Sequence, residues 1–299
     1  MPPVGEWIVA IEGTKTGETV AMVLALVAAV MHATLGALQK GRHDPWLTRG
    51  AVDIWVSLLA IPAVLFWVPP PETALWIVMP GVMAVHLAFK WAMAMAYSRG
   101  AFTAVYPVVR GTGPLATVII AGAVFGEFFT PGQWGGVALL SGGIFALAAV
   151  NLRDAAIDRG VLQAALGLAF LTGLITAAYT VIDAYAIRLT QNPFTFIAWF
   201  FLFEALLFPP LLWRRWRRAS DLGGLFRRGL VGAVIAWISF GSIFLATRLD
   251  KVGEAAALRE TSVIFAALLG WLFLGERVGA LRAGLMVLIA AGAVLVEFG

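Results

Sequence analysis

The sequence contains no cysteine, only three histidines and few charged residues among its 299 positions. Without cysteine the chain can form no disulfide of its own and offers no thiolate to a metal. No His-Glu-x-x-His element, Gly-x-Ser-x-Gly element, paired Asp-rich motif or phosphate-binding P-loop occurs. These motifs would carry zinc hydrolysis, acyl transfer, diphosphate chemistry and ATP hydrolysis, respectively. Their absence argues against an enzyme and against an ATP-driven pump, and we predict neither a metal nor a cofactor.

The scarcity of charge fixes the broad class. Charged residues make up 13% of the chain, whereas a soluble domain carries about 25%. Hydrophobic residues make up 61%, and the mean hydropathy is +0.90. Apolar runs of about 20 residues, enough to cross a hydrocarbon core as a helix and too long for barrel strands, recur along the sequence. We therefore predict an all-α membrane protein with ten transmembrane helices, centred on residues 20–39, 50–68, 75–97, 103–125, 133–150, 161–186, 194–213, 230–247, 254–274 and 280–297.

The basic residues are distributed unevenly between the predicted loops. The chain has 21 lysines and arginines, and fourteen of them follow the odd-numbered spans, with a dense run at 214–218. Cytoplasmic loops carry an excess of Lys and Arg. This distribution predicts that both termini lie outside the cytoplasm. The run Arg214-Arg215-Trp216-Arg217-Arg218 is best interpreted as an anchor near anionic lipid.

The last third of the chain repeats an earlier stretch. Residues 96–147 align without a gap on 245–296, a shift that superposes Arg99 on Arg248 and Arg110 on Arg259. The remaining matches are Thr112 with Thr261, Gly126-Glu127 with Gly275-Glu276, Gly135 with Gly284, Leu139 with Leu288, and Gly143 with Gly292. We predict one integrated membrane domain of two five-helix repeats, 1–150 and 151–299. Because five is odd, the repeats must be inverted, an arrangement in which the substrate site lies at the interface of the copies.

Two matching segments at the ends of the fourth and ninth spans resemble a known family. They read Ala121-Gly-Ala-Val-Phe-Gly-Glu127 and Gly270-Trp-Leu-Phe-Leu-Gly-Glu276, and each precedes a glycine-rich helix. This pattern is similar to that of EamA-type transporters in the drug/metabolite transporter superfamily. The resemblance implies ten helices in two five-helix repeats and secondary transport. Members are commonly drawn with cytoplasmic termini, whereas the charge distribution here predicts the opposite orientation. For Glu127 and Glu276 we predict structural hydrogen bonds to a neighbouring loop.

Ionisable residues inside the predicted spans are the main candidates for a site. Each costs about 2.5–3.5 kcal/mol at membrane depth unless it faces a cavity or a partner. Three bases (Lys90, Arg110, Arg259) stand against three acids (Asp183, Glu204, Glu260), so some of them are expected to form internal ion pairs. The repeat places the two arginines at equivalent depth. His86 and Lys90 lie one turn apart on one helix face, and His32 lies in the first span.

Prolines and aromatic residues add a second group of candidates. The fourth span carries Tyr106-Pro107 and Arg110-Gly-Thr-Gly-Pro114, and prolines in a helix remove backbone donors. We predict a kinked or locally open helix there. The ninth span lacks prolines, so the two halves are not expected to be functionally identical at this point. Four aromatic residues near mid-span are candidates for a cavity wall, namely Trp91, Tyr179, Trp199 and Trp237. The predicted substrate-binding set is His32, His86, Lys90, Tyr106, Arg110, Tyr179, Asp183, Trp237, Arg259 and Glu260.

These features together predict a secondary transporter of the bacterial inner membrane that exports small polar metabolites, amino acids first among them. Arginine and lysine would bind the carboxylate of a zwitterion, and Asp or Glu its ammonium group. Two alternatives stay open: an exporter of drugs or organic cations, and an intramembrane enzyme that modifies lipid. The expected partners are a small-molecule substrate and the lipid bilayer, with proton coupling as an option and no nucleic acid. Both a monomer and a homodimer are compatible with the sequence.

Overall fold

The structure is a computed structural model that describes residues 3–39, 44–99, 102–153, 159–274 and 279–299. Within these ranges the chain is helical and contains no β-strand. The helices are α1 (Pro3–Ala10), α2 (Lys15–Gln39), α3 (Pro45–Phe66), α4 (Thr73–Arg99), α5 (Phe102–Phe125), α6 (Pro131–Arg153), α7 (Arg159–Arg188), α8 (Pro193–Leu211), α9 (Trp213–Trp216), α10 (Leu222–Leu249), α11 (Val252–Glu260), α12 (Ser262–Leu274) and α13 (Ala280–Phe298).

Ten segments of the described residues are long and apolar enough to cross a membrane. They coincide with the ten predicted spans, the ninth being built from α11 and α12 together. Large apolar side chains such as Ile77 and Val287 are exposed along these helices, as lipid-facing residues should be. The prediction of an all-α membrane protein with ten spans is confirmed.

Several spans begin at a polar cap followed by proline. The Asp44 carboxylate accepts a hydrogen bond from the Trp46 amide at 2.8 Å, and Asn192 accepts one from Phe194 at 3.0 Å. Each cap precedes a proline at the first helical position, where a missing N–H group costs nothing. α5 ends before Gly126, whose φ of +68° is one that glycine adopts without strain.

The fourth span is helical throughout, so the predicted local opening there is wrong, and a break lies instead in the ninth span. α5 runs from Phe102 to Phe125 without interruption, whereas α11 ends at Glu260 and α12 begins at Ser262. The two threonines that the sequence alignment superposes, Thr112 in the fourth span and Thr261 in the ninth, make different hydrogen bonds. Thr112 in α5 donates to Val108, four residues back, as in a regular helix, but Thr261 donates to Leu258, three residues back, at 2.6 Å. The Thr261 amide also bonds to Leu258, at 3.1 Å, so the backbone tightens to an i−3 turn where α11 ends.

The chain divides into two compact units. The first comprises residues 1–87 and 182–250, and the second comprises 88–181 and 251–299. Helices α4 and α7 each contribute one end to each unit. Neither unit coincides with a sequence half, 1–150 or 151–299, so the division into inverted repeats remains a prediction about the sequence.

In the first unit α2 packs against α10, and α3 packs against α8 and α10. Its core is rich in phenylalanine from α8, including Phe196, Phe200 and Phe201. The short helix α1, which the sequence did not predict, packs against α8. It is held in part by Arg248, which pairs with Glu12 just after α1 and donates to the carbonyl of Ile187 at 2.8 Å.

In the second unit α6 packs against α5 and α13, and α11 packs against α5. The contact between α6 and α13 depends on glycine. A Cβ on Gly136 would lie 2.6 Å from the amide nitrogen of Val296, and one on Gly292 would lie 2.5 Å from that of Leu140. These helices therefore touch backbone to backbone, which only glycine permits.

Candidate functional site

The second unit contains a buried cluster of two arginines and one glutamate. Arg110 of α5 donates from Nη1 to both carboxylate oxygens of Glu260, at 3.2 and 3.0 Å. Arg259 donates from Nε to Oε1 of the same carboxylate at 3.2 Å. The side chains of all three residues are at most 4% exposed. The structure thus joins, through one glutamate, the two arginines that the sequence alignment superposes.

The contacts of Arg259 with residues other than Glu260 are long. Its Nη2 reaches the Thr180 hydroxyl at 3.4 Å, and its guanidinium lies 5.9 Å from the centre of the Tyr179 ring. Tyr179 in turn makes an edge contact with Phe89, at 5.0 Å between ring centres. Lys90, the residue after Phe89, is also buried in this unit. Arg259 has five N–H donors, and Nη1 makes no hydrogen bond in the described part of the chain.

The position of this cluster follows from how α11 begins and ends. The carboxylate of Glu127 accepts hydrogen bonds from the Val252 and Gly253 amides, at 2.6 and 3.1 Å, and so caps the first turn of α11. Arg259 and Glu260 are its last two residues, immediately before the break at Thr261. The predicted structural role of Glu127 is confirmed, and Glu276 lies outside the described residues.

A second buried cluster lies in the first unit, around His86 of α4. Its Nε2 lies 3.1 and 2.9 Å from the two carboxylate oxygens of Asp183 in α7. Its Nδ1 lies 4.0 Å from a carboxylate oxygen of Glu204 in α8, and Phe200 packs edge-on against the ring at 4.7 Å. A neutral imidazole has only one N–H group, while imidazolium has two. Both ring nitrogens face carboxylates, so this arrangement can hold a proton on the ring or on an acid.

The other predicted site residues are dispersed. His32 is half-buried in α2 with its ring 6.2 Å from that of Phe240. Trp237 donates from its indole nitrogen to the Val56 carbonyl at 3.1 Å and packs on Phe201. The side chain of Tyr106 lies outside the described residues.

Two of the predicted cavity-wall aromatics have different surroundings. Trp91 is 47% exposed, a value that both a cavity wall and a lipid-facing surface allow, so its assignment stays a prediction. The Trp199 ring packs edge-on against Trp76, at 5.2 Å between ring centres.

Sequence reasoning missed one contact residue, Thr180. It belongs to a series of buried threonines at intervals of four residues along α7, namely Thr172, Thr176 and Thr180, each bonded to a carbonyl one turn back. A polar stripe of this kind in an apolar helix is the signal that could have found it. Across the described ranges, no group of three His, Asp or Glu side chains has the geometry of a metal site.

Comparisons with known proteins agree with this architecture. Residues 163–298 match the family model described as the EamA-like transporter family. Among 29 matching chains of solved structures, one crystal structure superposes with a TM-score of 0.77 over 92% of this chain and 95% of its own, at 16% identity. At that identity the likeness shows the fold alone. No curated protein matches the chain.

Ten membrane-crossing segments within the described ranges, with buried charged clusters among them, define a polytopic membrane protein. The family match makes the assignment more specific for residues 163–298, which are similar to the EamA-like transporter family.

Proposed function

We propose that the protein is a secondary transporter that exports small polar metabolites bearing a carboxylate, amino acids in particular, by alternating access. The observation that carries the proposal is the pair of buried arginines around Glu260. Arg110 binds both oxygens of that carboxylate through Nη1, whereas Arg259 faces one oxygen with Nε and Nη2, at 3.2 Å each, and makes one long contact to Thr180. In this proposal Arg110 positions Glu260, and Arg259 binds the substrate carboxylate.

The chemistry of the cluster suits a zwitterion. A guanidinium binds a carboxylate through two parallel hydrogen bonds, and Arg259 has donors available for this. Glu260 is the acid that lies beside it and would attract the substrate ammonium group. The Tyr179 ring, 5.9 Å from the Arg259 guanidinium, adds an aromatic face on the same side. Lys90 would contribute a further positive charge to the recognition of an anionic group.

For energy coupling we propose proton exchange at His86. A histidine held between Asp183 and Glu204 can take up and release one proton while its neighbours stay in place. The nearest charged residue along α4 is Lys90, one turn further on. The proposal predicts that substrate movement in proteoliposomes responds to an imposed pH gradient, and that His86→Ala abolishes this response. Wild-type transport that does not change when the pH gradient is imposed would contradict proton coupling.

A thermal-stability screen of the purified protein tests the substrate class. Each amino acid is compared with its decarboxylated amine and with its desamino acid, alongside nucleosides, sugars and quaternary amines. We expect stabilisation by compounds that keep the carboxylate, and loss of that stabilisation in Arg259→Gln. Stabilisation by the amines and not by the acids would contradict the proposal.

The cluster around His86 favours a second candidate, an exporter of organic cations. Asp183 and Glu204 are two buried carboxylates to which a cationic drug would bind. Such a protein would be stabilised by quaternary amines, would depend on Asp183 and would tolerate loss of Arg259. An intramembrane lipid-modifying enzyme is the alternative of another class, and accumulation of unmodified substrate inside liposomes would exclude it.

We further propose that the protein resides in a bacterial inner membrane with both termini outside the cytoplasm. The support is the distribution of basic residues, which are concentrated after the odd-numbered spans. In this orientation the turn from α8 to α10, with its run of arginines, faces the cytoplasm.

A further inference from the structure

We propose that a basic cleft at the junction of α8, α9 and α10 binds the phosphate group of an anionic phospholipid. The cleft lies within the first unit and encloses about 580 Å³. Its lining includes Arg214, Arg215 and Arg218 together with Asp44 and Asp221. This inference does not depend on which substrate the protein transports.

The cleft is a built feature of the fold. Leu47 and Leu225, both buried, form part of its lining and belong to an apolar cluster against which Trp216 packs. The Trp216 indole donates to the Pro209 carbonyl at 3.0 Å. Its ring lies so close to α3 that a Cβ on Gly50 would approach it to 2.8 Å. The turn that carries the arginines therefore packs tightly against the N-terminal part of α3.

The three arginines of the cleft are not equivalent. Arg215 is already paired with Asp44 at 2.6 Å and lies over the Trp46 ring. Arg214 packs over Trp213, with 5.4 Å between guanidinium and ring centre, and makes no ion pair in the described ranges. The guanidinium of Arg218 makes no hydrogen bond or ion pair with any described residue. Two guanidinium groups thus line the cleft without a direct ion pair in the described ranges, although Asp221 also lies in the lining.

A phosphate group fits this arrangement best. Guanidinium groups bind phosphate oxygens in pairs, and a phosphodiester offers such oxygens to both arginines of the cleft. The cleft lies where a span ends and the next begins, beside Trp213, which is 52% exposed. Tryptophans mark the headgroup level of a bilayer, and basic residues at that level attract anionic lipids. The phosphate that reaches this depth most readily is that of a lipid headgroup.

Binding can be measured by native mass spectrometry of the full-length protein in detergent, titrated with phosphatidylglycerol and, separately, with phosphatidylcholine or inorganic phosphate. The test variant is Arg214→Gln/Arg218→Gln. Its matched control is Arg217→Gln/Arg227→Gln, which removes the same charge from residues that do not line the cleft. We expect the test variant to bind phosphatidylglycerol at least about tenfold more weakly, the loss that follows when a charge-assisted hydrogen bond to the phosphate is removed. The control should change binding by less than about twofold.

Three outcomes would overturn the inference. Equal losses of phosphatidylglycerol binding in both double variants would show that general surface charge, and not the cleft, binds the lipid. Equal binding of phosphatidylcholine would remove the preference for anionic lipid, and saturation by inorganic phosphate without lipid binding would assign the cleft to a soluble anion. A second measurement covers misfolding of the variants: the wild-type protein is photo-crosslinked to phosphatidylglycerol carrying a headgroup diazirine. We expect the modified peptide to contain residues 213–221, and labelling confined to other peptides would contradict the proposal.

Discussion

Removing the Glu260 carboxylate should destabilise the protein more than removing either arginine that binds it. Glu260 is 1% exposed and accepts hydrogen bonds from both Arg110 and Arg259. Its loss leaves two buried guanidinium groups facing an amide, whereas loss of Arg110 leaves Glu260 still paired with Arg259. Breaking a buried ion pair from one side costs about 3–5 kcal/mol. We therefore expect Glu260→Gln to lower the free energy of unfolding by about that amount, and Arg110→Gln to lower it by less.

The double variant Arg110→Gln/Glu260→Gln separates pairing from packing. Residues in one ion-pair network couple by about 0.5–3 kcal/mol. The double variant should accordingly be more stable than the sum of the two single losses predicts. The free energy of unfolding is measured by titrating the protein with SDS in mixed micelles and following tryptophan fluorescence. Glu18→Gln, at an exposed acid of α2, is the matched control and should leave stability unchanged.

Two results would refute this reasoning. If Glu260→Gln is as stable as the wild type, the carboxylate does not neutralise the arginines. If the single losses add without coupling, Arg110 and Glu260 are not partners in the folded protein.

Three further predictions concern the cap of α11, the contact between α6 and α13, and the orientation of the chain in the membrane. Glu127→Gln weakens the cap of α11 and should cost about 0.5–2 kcal/mol of stability in the same titration, and full stability would show that the cap is dispensable. Gly136→Ala should lower the free energy of unfolding by about 1–3 kcal/mol because its methyl group would overlap the backbone of α13. Gly135→Ala should be tolerated, since a Cβ there meets nothing within 4 Å. Equal effects of the two changes would contradict the close contact. Alkaline phosphatase fused after Gly299 should be active in a bacterial host, and an inactive phosphatase with an active cytoplasmic reporter would reverse the orientation.

The spans could be predicted because membrane thickness imposes a length on every apolar run. The pairing of Arg110 with Glu260 could be suspected, since few ionisable residues lie at membrane depth and each needs a partner. The break in the ninth span could not be predicted from the absence of proline. It is a tight turn in which both the amide and the hydroxyl of Thr261 bond to the carbonyl three residues back, and the residue types alone do not indicate such a turn.

Tertiary contacts account for the other differences. Helix α1 has eight residues, too few to cross a bilayer, so the hydropathy pattern that identified the spans could not reveal it. The neighbours of His86 come from α7 and α8, far away in sequence, and no periodicity in α4 indicates them. Trp91 and Tyr179 looked alike as mid-span aromatics, but one is exposed and the other buried, because helix packing decides which face each occupies.

Transport of a labelled amino acid into proteoliposomes tests the central proposal most directly. The compound is chosen by the stability screen, and accumulation by the wild type is compared with that by Arg259→Gln at equal amounts of folded protein. We expect the wild type to accumulate the unmodified compound, an excess of the matched desamino acid to compete with it, and Arg259→Gln to lose accumulation. Undiminished transport by Arg259→Gln, or competition by the matched amine and not by the acid, would contradict the assignment of this arginine to a substrate carboxylate.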